Sequence, residues 1–218
     1  MSDPEPRALA KAVLKRYPRS FAEEMHIDLG RNTPAPLYRW LIASLLFSAR
    51  IATHQAESAA EALFAKGWCT PRKMADTEWE ERVKVLNRAG YARYDESTAR
   101  YIEDTTRLLL DKYGGDLRKL RKAGEHQPDK ERRLIKEFKG IGDVGADIFF
   151  REVQLAWDEL YPFADRKALE AAKDLGLGDS AEVLAGLIDK KRDLPRLLSG
   201  LVRVSLAREA DRIRAEAG

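Results

Sequence analysis

Apolar positions recur every three or four residues along almost the whole chain, and no alternating run of β-branched residues is long enough for a strand. The pattern predicts an all-α protein. Arg7 to Tyr17 reads as a short amphipathic helix that Pro18 stops. Ser20 caps a second one, with Glu23 at the capping-box position. After a Gly/Pro-rich loop at 30–36, Leu37 to Ala49 is apolar nearly all round, which marks a helix buried on most sides. Thr53 caps an Ala-rich helix to about Lys66. Pro71 opens a single turn, and Asp76 caps a helix carrying Trp79, Val83 and Leu86 that Gly90 closes. Asp95 to Tyr113 is a long helix broken by Gly114-Gly115. Short helices follow through Leu117 and Leu120 and from Asp129 to Phe138. A further helix reaches about Trp157, Asp165 caps one to Leu175, and Ser180 to Lys190 and Leu194 to Ala217 are the last two.

One stretch interrupts this pattern in an informative way. An apolar-periodic run ends at Phe138, three glycines (Gly140, Gly142, Gly145) follow within six residues, and a second run begins at Ile148. Two helices joined by a tight glycine turn are expected, with glycine supplying positive φ and close backbone approach. The first turn of the second helix leaves N–H groups without intrahelical partners, and with the helix dipole they form a site for a phosphate.

Composition changes this picture little: of 218 residues, 44% are hydrophobic and 34% charged, as in an ordinary folded protein. The net charge of +3 does not itself argue for nucleic acid; its distribution is more informative. Between Lys112 and Lys139 there are ten Lys/Arg against five Asp/Glu, so this stretch carries +5 and the remainder −2. Such an excess before the glycine turn suits a phosphate backbone, and equally a solvated helical face. The single cysteine, Cys69, excludes disulfides and cysteine-based metal sites within the chain, and His26, His54 and His126 have no ligand spacing, so no metal site is expected. The opening Met1-Ser2-Asp3-Pro4-Glu5-Pro6 is polar, and the longest apolar stretch, Trp40 to Phe47, is too short to span a bilayer. A cytoplasmic protein without membrane contact is expected.

Four segments, in order and at similar spacing over roughly 36–207, resemble the helix-hairpin-helix DNA glycosylases of the endonuclease III superfamily. Leu45-Leu46-Phe47-Ser48-Ala49-Arg50 is similar to that family's Leu-Leu-Ser-Ala-Gln. Asn87-Arg88-Ala89-Gly90-Tyr91 is similar to its Gly-Leu/Tyr segment. Phe138-Lys139-Gly140-Ile141-Gly142-Asp143-Val144-Gly145-Ala146 is similar to its Leu-Pro-Gly-Val-Gly-Arg-Lys-Thr-Ala hairpin. Phe163-Ala164-Asp165-Arg166 is similar to its Val-Asp-Thr-His. The resemblance implies two helical lobes with a DNA-binding cleft between them: one from 36–140, the other from 1–35 plus 141–218, with the hairpin at 135–150 as the junction.

The resemblance also implies a chemistry. Breaking an N-glycosidic bond puts positive charge on the sugar, which a carboxylate stabilises once the base has left the stack. Asp165 stands at the family's acid, although Asp before Arg-Lys-Ala-Leu is also an ordinary N-cap. Lys139, Gly140, Ile141, Gly142 and Gly145 would hold a phosphate, and Arg50 stands where a glutamine fills the gap left by the flipped base. Tyr38, Trp40, Tyr91 and Tyr94 are candidates for stacking on it. Val144 replaces the lysine of bifunctional members, so no Schiff-base lyase step is expected, and no C-terminal cysteines exist for an iron–sulfur cluster. Hairpin carbonyls can hold a monovalent cation in this family; no other cofactor is expected. The implied function is a monomeric, monofunctional DNA glycosylase of base-excision repair acting on duplex DNA with a damaged or mismatched base. Val144 and Asp143 leave open an alternative on the same scaffold, a catalytically inactive protein that binds damaged DNA.

Overall fold

Amphipathic segments too short to be stable alone must bury their apolar stripes against one another. The computed structural model describes residues 5–218; the polar opening at 1–4 lies outside them. The helices run in the order α1 (Pro6–Arg16), α2 (Phe21–Glu24), α3 (Pro34–Phe47), α4 (Thr53–Ala65), α5 (Pro71–Ala75), α6 (Trp79–Leu86), α7 (Asp95–Tyr113), α8 (Leu117–Ala123), α9 (Pro128–Ile135) and α10 (Asp143–Val153). They continue with α11 (Arg166–Leu175), α12 (Ala181–Gly186), α13 (Asp193–Ala207) and α14 (Ala210–Ala217). No strand occurs among the described residues, and none of their helices is long and apolar enough to cross a membrane. The chain is all-α.

It divides into a middle unit, Ile27–Phe149, and a terminal unit of the residues up to His26 with Phe150–Gly218. The expected limits were 35/36 and 140/141. Ile27 and Leu29 are buried, and the turn at Leu29–Arg31 packs on α3, which draws this segment into the middle unit. At the other limit, the Trp40 indole donates to the Phe149 carbonyl (3.1 Å) and ties the first half of α10 to α3.

In the middle unit α3 is the core helix, as its all-round apolar sequence requires: Leu37, Tyr38, Trp40, Leu41, Ile42 and Leu46 are fully buried. It contacts α4, α7 and α8, and the Tyr38 hydroxyl meets Thr106 Oγ1 on α7 at 2.7 Å. In the terminal unit α1 lies against α13 and α14, and Gly200 of α13 permits the approach, since a Cβ there would stand 2.7 Å from Val13 Cγ1. Glu152 ties this unit together. Its buried carboxylate accepts from Ser20 Oγ (2.6 Å), Phe21 N (2.8 Å), Ala22 N (2.8 Å) and Ser199 Oγ (2.9 Å). Burial pushes this carboxyl above the ordinary range, against the pull of these donors.

Several local expectations are corrected. Thr53 is the first residue of α4 and Ala52 its N-cap, because Gln55 reaches back to the Ala52 N–H (3.3 Å). Asp76 ends α5 instead of opening α6, whose N-cap is Glu78. The single helix expected over 194–217 is two, divided at Arg208, which adopts φ +56°. The helix through the hairpin ends at Val153, before Trp157.

Candidate functional site

The glycine turn between α9 and α10 forms as its sequence predicts, but the glycines do different jobs. Gly140 has φ +85°, which favours glycine, and a Cβ there would lie 2.9 Å from the Tyr101 ring. Close approach is therefore to a side chain, not to backbone. Gly145 is buried, and its missing side chain leaves room for Ile141 and Ser48. Gly142 has open space around it, and its carbonyl accepts the bond from Ala146 N (3.0 Å). The Ile141 side chain is buried and its N–H donates to Phe138 O at 3.0 Å. Side-chain hydroxyls brace the turn, Thr105 Oγ1 on the Lys139 carbonyl (3.1 Å) and Ser48 Oγ on that of Gly140 (3.3 Å).

The charge of Asp143, which by itself repels a phosphate, is offset. Lys136 Nζ lies 2.8 Å and Arg132 3.4 Å from its carboxylate, and these two cations hold its carboxyl below the usual range, Lys136 more than Arg132. Arg132 also pairs with Asp147 at 2.7 Å. Much of the basic run is spent in this way, with Lys112 on Glu137 (2.7 Å) and Lys130 on Glu125 (2.5 Å). Lys139 stays exposed, its Nζ 6.0 Å from the centre of the Tyr101 ring. Val144, on the first turn of α10, is 59% exposed, so an apolar side chain faces solvent there.

Beside the turn, within the same unit, is a pocket of about 330 Å³. The end of α3 supplies Ser48 and Arg50, the start of α7 supplies Ser97 and Tyr101, and Tyr94 and Gly140 complete its walls. Arg50 is exposed at this pocket. Of the four aromatic candidates, Tyr38 and Trp40 are core and cannot meet a ligand. Tyr91 is buried too, its hydroxyl donating to Leu46 O at 3.0 Å, and burial pushes that hydroxyl up to about 12. Only Tyr94 is half-exposed. Tyr101 was not anticipated, because its place in the pattern is that of an inner-face residue of α7. Its spacing from Gly140 in the fold could not be read from sequence.

Asp165 belongs to the terminal unit. It caps α11: Oδ1 accepts from Lys167 N (3.1 Å) and Ala168 N (3.2 Å). Oδ2 accepts from Arg151 Nε at 2.6 Å, and the two side chains are 3% and 5% exposed. Gln154, one turn after Arg151, bonds both the N–H (3.0 Å) and the carbonyl (2.8 Å) of Phe163 and so fixes the segment leading to Asp165. Both oxygens of the acid are thus engaged inside its own unit. Arg151 lies among the apolar residues of the second half of α10 and Gln154 directly follows that helix, a signal that could have marked them.

No protein-family model matches the sequence, and no curated protein does. Two solved structures are similar. One is a trapped endonuclease III–DNA covalent intermediate with an estranged adenine (TM-score 0.53, 21% identity, 91% of this chain and 83% of that one). The other is a non-covalent endonuclease III–DNA complex (TM-score 0.54, 22% identity, 89% of this chain and 81% of that one). At this identity what is shared is the fold, and the chain has the fold of endonuclease III.

Proposed function

We propose that the protein acts in DNA repair as a DNA glycosylase, hydrolysing the N-glycosidic bond of a damaged or mismatched base in duplex DNA. The observation that carries this reading is the likeness to two endonuclease III–DNA complexes over about nine-tenths of the chain, with the glycine turn and the N-cap acid in sequence order. The first N–H groups of α10 and Lys139 would hold a phosphate, and Arg50 would fill the space a flipped base leaves. Asp165 would offset the charge on the sugar, with water as the final nucleophile. The exposed Val144 supports hydrolysis without a lyase step through that position.

A second reading, a protein that binds damaged DNA without turnover, is favoured by one observation: the Asp165 carboxylate is buried, with both oxygens engaged. A panel of duplexes carrying different damaged or mismatched bases separates the two. Wild type and Asp165→Asn are incubated with each, and samples are split with and without hot alkali. Nicking only after alkali, reduced at least 100-fold in the variant, is the expected result. Tight, salt-sensitive binding with no release from any duplex would leave the silent reader standing.

A further inference from the structure

We propose that Asp143 competes with DNA phosphates for Lys136, so that the chain carries its own competitor at the glycine turn and holds down its affinity for duplex backbone. The inference rests on the DNA reading above and gives a role to an acid which that reading leaves out.

The contacts span the turn from α10 to α9. Asp143 is the first residue of α10, where the helix dipole favours an anion and where a phosphate would also be held. Its carboxylate reaches across to the end of α9. Lys136, the C-cap of α9, places Nζ 2.8 Å from Oδ1. Arg132, in the last turn of α9, lies 3.4 Å from the same oxygen and donates to the Asp143 carbonyl at 3.3 Å. An anion belonging to the chain therefore already holds the cations that flank the phosphate site.

The two cations are not held alike. Arg132 forks between two acids one turn apart on α10, with its other terminal nitrogen 2.7 Å from Asp147, and is 28% exposed. Without Asp143 it stays anchored. Lys136 is 39% exposed, and among the described residues Asp143 is its one ion-pair partner. Pairs this open to water are weak, and another anion can replace either member. Lys136 is thus the cation that a phosphate can take over. When it moves, the Asp143 carboxylate loses that partner and faces the phosphate as a like charge. What DNA gains from Lys136 is then largely offset by what Asp143 loses. Phosphate contacts carry no sequence information, so the penalty falls on damaged and undamaged duplex alike.

The test titrates the full chain against two fluorescent duplexes, one fully paired and one with a single abasic analogue. Asp143→Asn is expected to bind both at least threefold tighter than wild type, with a slope of log K on log salt steeper by about one. Asp143→Glu keeps the charge and should stay within twofold of wild type. Glu80→Gln, the same change of charge at an exposed position of α6, should also stay within twofold. Lys136→Gln should weaken binding less than twofold in wild type and at least threefold beside Asp143→Asn, because only there does Lys136 serve the phosphate without competition. No gain from Asp143→Asn, a gain matched by Glu80→Gln, or an equal cost of Lys136→Gln in both backgrounds would overturn the competitor. A threefold loss from Lys136→Gln in wild type would do so even if Asp143→Asn failed to fold. Absent or salt-insensitive binding by every variant would count against the DNA reading. The competitor is then read on a heparin column, where Asp143→Asn should elute at higher salt than Glu80→Gln, and equal elution would overturn it.

Discussion

Asp165 shows how two roles compete for one carboxylate. An N-cap needs one oxygen, and Asp165 gives Oδ1 to two backbone N–H groups of α11. The other oxygen is paired with Arg151 away from water. Removing one partner of such a pair leaves a lone buried charge, so Arg151→Met is expected to lower the free energy of unfolding by about 3–5 kcal/mol in a urea titration. Asp165→Asn introduced together with Arg151→Met should recover much of that loss, because no unpaired charge then remains. Equal losses in the single and double variants would mean that packing, not charge, holds this corner.

At the scale of elements, the glycine turn is built by its neighbours as much as by its own sequence. Thr105 and Ser48 bond its carbonyls, and Tyr101 lies against Gly140. Gly140→Ala has to adopt φ +85° and displace an aromatic ring 2.9 Å away. It should therefore cost about 1–3 kcal/mol of stability and weaken DNA binding more than Gly142→Ala, which meets open space. Thermal melts beside a DNA titration of the two variants check the order. The same level explains which helix limits were legible. The Ser20–Glu23 box, Pro71, Gly114 and the Asp165 cap behaved as local sequence dictates, since each acts through its own turn. Thr53 and Asp76 did not, because competing residues one or two positions away took the cap.

For the whole molecule, charge is the quantity that matters. A net +3 on 218 residues is small, and ion pairs absorb Lys112, Lys130, Arg132 and Lys136 of the basic run. These pairs hold part of the basic run, so affinity for duplex DNA should fall with salt less steeply than in strongly basic proteins. A slope of log K on log salt between about −2 and −4, measured by fluorescence anisotropy, corresponds to two to four phosphate contacts. A slope near zero would remove the DNA reading altogether.

Periodicity, glycine placement and the spacing of four short segments determined by themselves that the chain is all-α, that a glycine turn joins two helices near residue 140, and that an acid opens a helix at 165. These are local properties, settled by backbone conformation and by the period of burial within one element. Tertiary structure alone decided which aromatics are core and which face a pocket, that Asp143 is neutralised by Lys136 and Arg132, and that Arg151 claims the second oxygen of Asp165. Each of those depends on side chains from different elements meeting within a few ångströms, and pairing of that kind leaves no period in the sequence for a reader to find.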